Sequence, residues 1–302
     1  MKKAFVSILS SLFFLMFLSC DNSGGNNEDL KGDYTSATVG VLKYVEAGIF
    51  QRDATASNTS EVSAFRISIH EISRSQFLAV MGTDPSEPAV SNGTGDPVQR
   101  VNWYQAITFC NKLSLSEGLN PVYTISGVDF SSITFAGIPV TSNATWNSVS
   151  ADWNADGYRL PTEMEWMWAA MGSTSGNTYS GGIYTSGYSK LFSGSSGSNS
   201  IEDYAWYDSN SSGETHPIGS KIENELGLFD MSGNIFEHCW DWWDDPYPAG
   251  ALVDYKGASS GTYRVMKGGA YGTAESTCTI AHRNVTLPED VDPLKGFRIV
   301  RK

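Results

Sequence analysis

In residues 157–172, GYRLPTEMEWMWAAMG, Thr162 and Glu165 stand at the spacing of a capping box, and Gly172 stands where a left-handed residue closes a helix. The hydroxyl of the cap can accept from the backbone three residues on, and the glutamate can bond back to the cap. A short helix is therefore predicted, with Trp166 and Trp168 in the core. Two more helices lie upstream. Ser73 and Gln76 form the same box before Phe77, Val80 and Met81, with Gly82 as the stop. Asn102 caps another, in which Trp103, Ala106, Ile107, Cys110 and Leu113 fall on one face before Gly118. That spacing makes Cys110 a small buried hydrophobe. The rest of the chain is short β-like runs, such as residues 65–69, cut by frequent Gly, Ser and Asn clusters. The fold class is α+β, irregular and loop-rich.

The longest loop, residues 172–200, is almost wholly Ser, Gly, Thr and Tyr. Tyrosine offers rigid contact area and Ser and Gly let the backbone conform, so it reads either as an adaptable binding loop or as a loose surface insertion.

Acidic residues number 33 and basic ones 20, a formal charge of −13 that disfavours a phosphate backbone and so a nucleic-acid partner. Lys2 and Lys3 precede a mostly apolar run, residues 4–18, that is too short to span a bilayer comfortably. This is an export signal. It ends in Phe17, Leu18, Ser19 and Cys20, which resembles a bacterial lipoprotein cleavage site with Cys20 as the lipidated residue. Phe17 replaces the leucine more common there, and an ordinary secretory signal is the alternative. The expected organisation is a signal peptide over 1–19, a flexible tether over 20–33 and a folded body over 34–302, exported and lipid-anchored to the bacterial membrane at the cell surface, and monomeric. Beyond Cys20, the thiols of Cys110, Cys239 and Cys278 allow at most one disulfide. No nucleophile elbow, Walker-type phosphate loop or zinc spacing occurs.

Four blocks follow one another in order: GYRLPTEMEWMWAA (157–170), NELGLFDMSGNIFEHCWDWW (224–243), RVMKGGAY (264–271) and GFRIVR (296–301). With KYVEAGIFQ from Lys43, HEISRSQFLAVMGTDPS from His70 and VNWYQAITFCNKLSLSEGLNPVYTI from Val101, they resemble the formylglycine-generating enzyme family, also called the sulfatase-modifying factor family, over residues 40–302. The resemblance implies a variant of the C-type lectin fold. It implies less about function, since one scaffold hosts unrelated activities.

Active members of that family resemble one another in two cysteines, five residues apart after a Gly-Gly pair, that hold Cu(I) for the oxidation of a substrate cysteine. Counted from Gly268 and Gly269, those positions are Thr273 and Cys278. A hydroxyl does not replace a thiolate on Cu(I), so Cys278 reads as a structural remnant or a disulfide partner. The iron-dependent sulfoxide synthases of the same fold draw on an added histidine-bearing domain, and the scattered His70, His216, His238 and His282 do not supply one. Carrying over the family's calcium pattern gives Asp230 and Glu237 as side-chain ligands, with Gly233 and Ile235 through their carbonyls, on an extended segment. The plainer alternative is a turn at Asp230 and an ion pair at Glu237. Trp240, Asp241, Trp242 and Trp243, followed by Asp244 and Asp245, could stack on a sugar, or the tryptophans could be core.

The leading expectation is a non-catalytic surface scaffold whose binding face, for a protein or glycan ligand, comprises Tyr271, Thr273, Thr277, Thr279, His282, Asn284, Trp242 and Trp243. The segment between the Gly-Gly and GFR marks resembles the variable region of proteins diversified by retroelements. Diversification of Asn-type codons cannot yield Glu or Lys, so Glu275, Glu289 and Lys295 would then be fixed. The alternative is an oxidase or oxygenase acting on protein cysteine through Cys278, with copper.

Overall fold

Both predicted capping boxes form, and the predicted cap Asn102 makes a third, in a computed structural model that describes residues 31–175 and 177–302. The signal-like segment and Cys20 lie outside the described residues. Ser73 caps α1 (Arg74–Met81), Asn102 caps α2 (Trp103–Ser116) and Thr162 caps α4 (Glu163–Ala170), each with the reciprocal bond from the third residue on. Gly82 ends α1 in the left-handed region, at φ 70°. A single turn, α3 (Ala144–Asn147), is capped by the side chain of Asn143. Among the described residues no helix is long and apolar enough to cross a membrane.

The strands are short and form three main sheets. In the first, Tyr34–Ser36, Gly40–Val45, Phe65–Ser68, Val300–Arg301 and Tyr158–Arg159 lie side by side, each pair antiparallel. The last strand of the chain thus sits between early and middle ones, and the two ends of the body close in one sheet. A second sheet runs Leu252–Val253, Thr59–Val62, Gly48–Gln51, Ile183–Tyr184, Tyr179–Ser180. The third runs Asn284–Thr286, Arg264–Lys267, Phe236–Trp242, Lys295–Gly296.

The Tyr/Ser/Gly loop is therefore not a loose insertion. Its hairpin pairs Tyr184 with Phe50 in the second sheet, and the Tyr184 ring lies 5.2 Å from that of Trp168.

Two apolar clusters make the core. The first packs α1 and α2 around Phe77, Phe109 and Phe297, and includes Cys110. The second surrounds α4, all eight of whose residues are buried, with Val45, Phe50, Ile67, Cys239 and Val265. A helix enclosed on every side needs partners for its charges. Arg159 supplies both guanidinium nitrogens to Glu165 at 2.6 Å, and Arg283 grips Glu163 at 2.7 and 2.9 Å.

The strand Phe236–Trp242 divides the two clusters by the two-residue alternation of an extended chain. Glu237, Cys239 and Asp241 meet α4: Trp166 bonds Glu237, Cys239 joins the α4 cluster, and Asp241 accepts from the Glu163 N–H at 2.8 Å. His238 and Trp240 face the other way. His238 Nε2 lies 2.9 Å from the Val101 carbonyl, and Trp240 stacks on Tyr123 with ring centres 5.2 Å apart.

Candidate functional site

Strand Arg264–Lys267 delivers the chain to Gly268 and Gly269, and the loop that follows carries the two positions where copper chemistry would need thiolates. Gly269 sits at φ 79°, and a Cβ there would lie 2.8 Å from the Cys278 sulfur, so this position takes a glycine for both conformation and space. Thr273 is held by its own loop. Its Oγ1 accepts from the Ala270 N–H at 2.9 Å and lies 2.7 Å from the Thr277 hydroxyl, which donates to the Ala274 carbonyl. Cys278 is fully buried beside Phe192, Ile201, Ala205 and Tyr207. Burial pushes its thiol up to about 12, so it is a neutral SH at physiological pH. One hydroxyl in a closed hydrogen-bond circuit and one protonated, buried thiol do not make a dithiolate site, and the loop does not fit Cu(I).

The three cysteines of the body are all free and lie in three different apolar clusters. The disulfide that three thiols permitted is not formed. Burial also raises Cys239 and Cys110, which leaves none of the three as a resting thiolate.

The calcium pattern meets a different obstacle. Residues 230–235 are not extended: Asp230, Gly233 and Asn234 all have positive φ, at 55°, 77° and 58°, and the strand begins at Phe236. The Gly233 carbonyl accepts from the Ile235 N–H at 2.8 Å. Glu237 is fully buried, and its oxygens are taken by Arg298 Nε and Trp166 Nε1. Asp230 gives one oxygen to the Gly219 N–H, at 2.7 Å, and its other oxygen is buried without a partner. The cation that Glu237 meets is thus a guanidinium. A divalent ion would have to displace it, so the four residues do not fit calcium, and the turn with an ion pair is what forms. Glu71, which sequence reading passed over, completes this knot by accepting from Asn234 Nδ2 and the Ile235 N–H. Arg298 lay in a quoted block, yet nothing local marks either residue as a partner.

The expected binding face separates into two groups. Tyr271 and Trp242 turn inward, at 5% and 7% exposure, and are corrected to buried positions. Trp242 lies under the Arg264 guanidinium, 3.4 Å from its ring centre. Thr273, Thr277, Thr279, His282, Asn284 and Trp243 are half-buried, and the exposed parts of the loop are Gly272, Ala274, Glu275, Ser276, Ala281, Asp290 and Val291.

The base of this loop is fixed by cations. Lys267 Nζ, itself fully buried, donates to the carbonyls of Ile280 and His282 at 2.8 and 2.5 Å. Desolvation lowers its pKa to about 8, partly offset by Glu163. Arg283 holds Glu163, donates to the Asp244 carbonyl and stacks on Tyr247 and Trp243. These bonds give the loop a rigid stem.

Short sheets closed by the two ends of the body, the four capped helices of the described residues and long surface loops define the C-type lectin-like fold in its formylglycine-generating-enzyme form. The chain belongs to the sulfatase-modifying factor enzyme 1-like domain family, whose match covers residues 30–302. It is 36% identical to Treponema denticola variable protein 1, with a TM-score of 0.78 over 89% of this chain and 98% of that one. It is 32% identical to the chaperone protein LppX of Paenibacillus barcinonensis, over 86% of this chain and 89% of that protein. A match to the formylglycine-generating enzyme of Streptomyces coelicolor, also 32% identical, spans about half of each chain, 52% and 50%.

Proposed function

We propose that this protein is a non-catalytic, exported scaffold, lipid-anchored through Cys20, that presents the loop between Tyr271 and Lys295 as a ligand-binding face at the cell surface. The observation that carries this reading is the pair Thr273 and Cys278: a hydroxyl bonded within its own loop, and a buried thiol that burial keeps protonated. The rigid stem made by Lys267 and Arg283 supports it, because a face that changes its contacts needs a base that does not. The 36% identity to a protein named for its variability supports a face tolerant of substitution.

A second reading, a chaperone-like role toward exported polypeptides, is favoured by the long match to LppX. Both are binding functions, and both exclude turnover.

The deciding experiment supplies the full chain with Cu(I), reductant, oxygen and a peptide carrying the family's Cys-x-Pro-x-Arg target, and follows formylglycine by mass spectrometry. No copper retention and no conversion is the expected result. Stoichiometric copper with turnover that disappears in Cys278→Ala would overturn the proposal.

A further inference from the structure

The Arg264 guanidinium is a buried cation with no carboxylate against it. The side chain is 1% exposed, it forms no ion pair among the described residues, and its Nε has no hydrogen-bond partner. Its one bond runs from Nη1 to the Trp240 carbonyl, at 2.6 Å. The rings of Trp103 and Trp242 sandwich it, with centres 3.6 and 3.4 Å from the guanidinium carbon. Aromatic faces offset part of the cost of burying a cation, but they do not satisfy its N–H groups.

This arginine lines a cleft of about 310 Å³ between the end of α3 and strand Phe236–Trp242. That volume is at the small end of the range for small-molecule sites. Trp153 and Trp240, both partly exposed, meet edge-to-face in its wall at 5.6 Å. Lys256 stands at the rim with its Nζ 4.8 Å from the Trp153 ring centre, bonded to the Asp254 carbonyl and not to a carboxylate. Trp153 and Lys256 also line a second cleft of about 230 Å³, so a chain of rings could continue past Trp153.

We propose that this cleft binds a sugar bearing a carboxylate, such as a uronic or sialic acid unit within a short oligosaccharide. A pyranose offers an apolar face to tryptophan and hydroxyls to the polar rim of Asn147, Ser148 and Ser259. Its carboxylate supplies what Arg264 and Lys256 lack. Arg264 and Lys256 form no ion pair among the described residues, and Asp241, whose charge acts on Arg264, is itself buried with its carboxyl pushed up by burial. In a protein of charge −13, these two cations in one aromatic cleft therefore favour an acidic ligand over a neutral one. The cleft is separate from the C-terminal loop face.

The test is calorimetric titration of the full chain with trigalacturonate and with sialyllactose, each beside its neutral counterpart, methyl-esterified trigalacturonate and lactose. At least one acid binds, its neutral counterpart binds at least tenfold more weakly, and raised salt weakens the acid. Because Arg264 variants can fail to fold, the variants are Trp153→Ala and Lys256→Ser at the partly exposed wall. Each lowers affinity at least tenfold with an unchanged melting temperature, whereas Thr279→Ala in the C-terminal loop has no effect. Failure of both acids to bind, equal binding of acid and neutral forms, or indifference to both wall variants would each overturn the proposal. So would direct binding of a tripeptide with a free C-terminal carboxylate where neither acid binds.

Discussion

Arg298 Nε donates to both carboxylate oxygens of Glu237, at 2.8 and 2.7 Å, across 61 residues of sequence, and both side chains are wholly buried. The guanidinium also reaches the carbonyls of Ser68 and Phe229, which ties the first sheet to the turn before strand Phe236–Trp242. Removing one partner strands a charge in the interior. Arg298→Met should therefore destabilise the protein by about 3–5 kcal/mol in urea unfolding. Arg298→Met combined with Glu237→Gln should recover part of that loss. A double variant as damaged as the single one would show that the carbonyl contacts, not the ion pair, dominate.

Two buried groups give stability opposite pH slopes. Burial raises Asp230 to about 6 from 3.8, so protonation favours the fold, a contribution complete below about pH 4 and lost as pH rises through 6. Burial lowers His238 to about 4 from 6.5, so its contribution is present above pH 6.5 and lost as pH falls through 4. Asp230→Asn, at a φ of 55° that asparagine tolerates, should stabilise the protein near pH 7.5 by up to about 3 kcal/mol, with the gain vanishing near pH 4. A gain that grew toward acid would contradict the burial argument. Calcium at millimolar concentration should leave the melting temperature of the parent protein unchanged.

Gly48 lies against the face of a ring that cannot move. A Cβ there would stand 2.3 Å from Trp168 Cζ2, and the indole is pinned by its bond to the Glu46 carbonyl and by stacking on Phe50. Gly48→Ala should cost about 1–3 kcal/mol or more in thermal or urea melts, from overpacking alone. An unchanged melt would mean that the second sheet shifts readily away from α4.

The cysteines make a chemical prediction. Cys110, Cys239 and Cys278 are buried and uncoupled, so none should react with a thiol-specific disulfide reagent in the native state, and all three should react in denaturant. Fast native labelling at Cys278 would indicate an open, ionised thiol and reopen the oxidase alternative.

Thr162 with Glu165 and Ser73 with Gln76 were legible because a helix cap is written within four consecutive residues. The α+β class, the buried Trp166, Trp168 and Cys110, and the missing thiolate at Thr273 were legible for a related reason: each depends on local spacing or on residue type. The calcium pattern misled because residue types at 230, 233, 235 and 237 say nothing of the three left-handed backbone positions or of an arginine arriving from residue 298. Trp242 misled because a strand's two sides look alike until something packs on one of them, and Tyr271 because a turn residue's inward or outward course is set by what the fold brings against it.

By itself, then, the sequence determined what short-range hydrogen bonding and side-chain chemistry determine: where helices start, which family pattern the chain follows, and that Cu(I) lacks a ligand. Tertiary structure decided which charges meet, Glu237 with Arg298 and Glu163 with Arg283 and Lys267, and which buried arginines are left without an ion pair among the described residues, Arg52, Arg264 and Arg301. The physical reason is that a buried charge is satisfied only by groups that the fold brings within about 3 Å, and those groups come from strands and loops far apart along the chain.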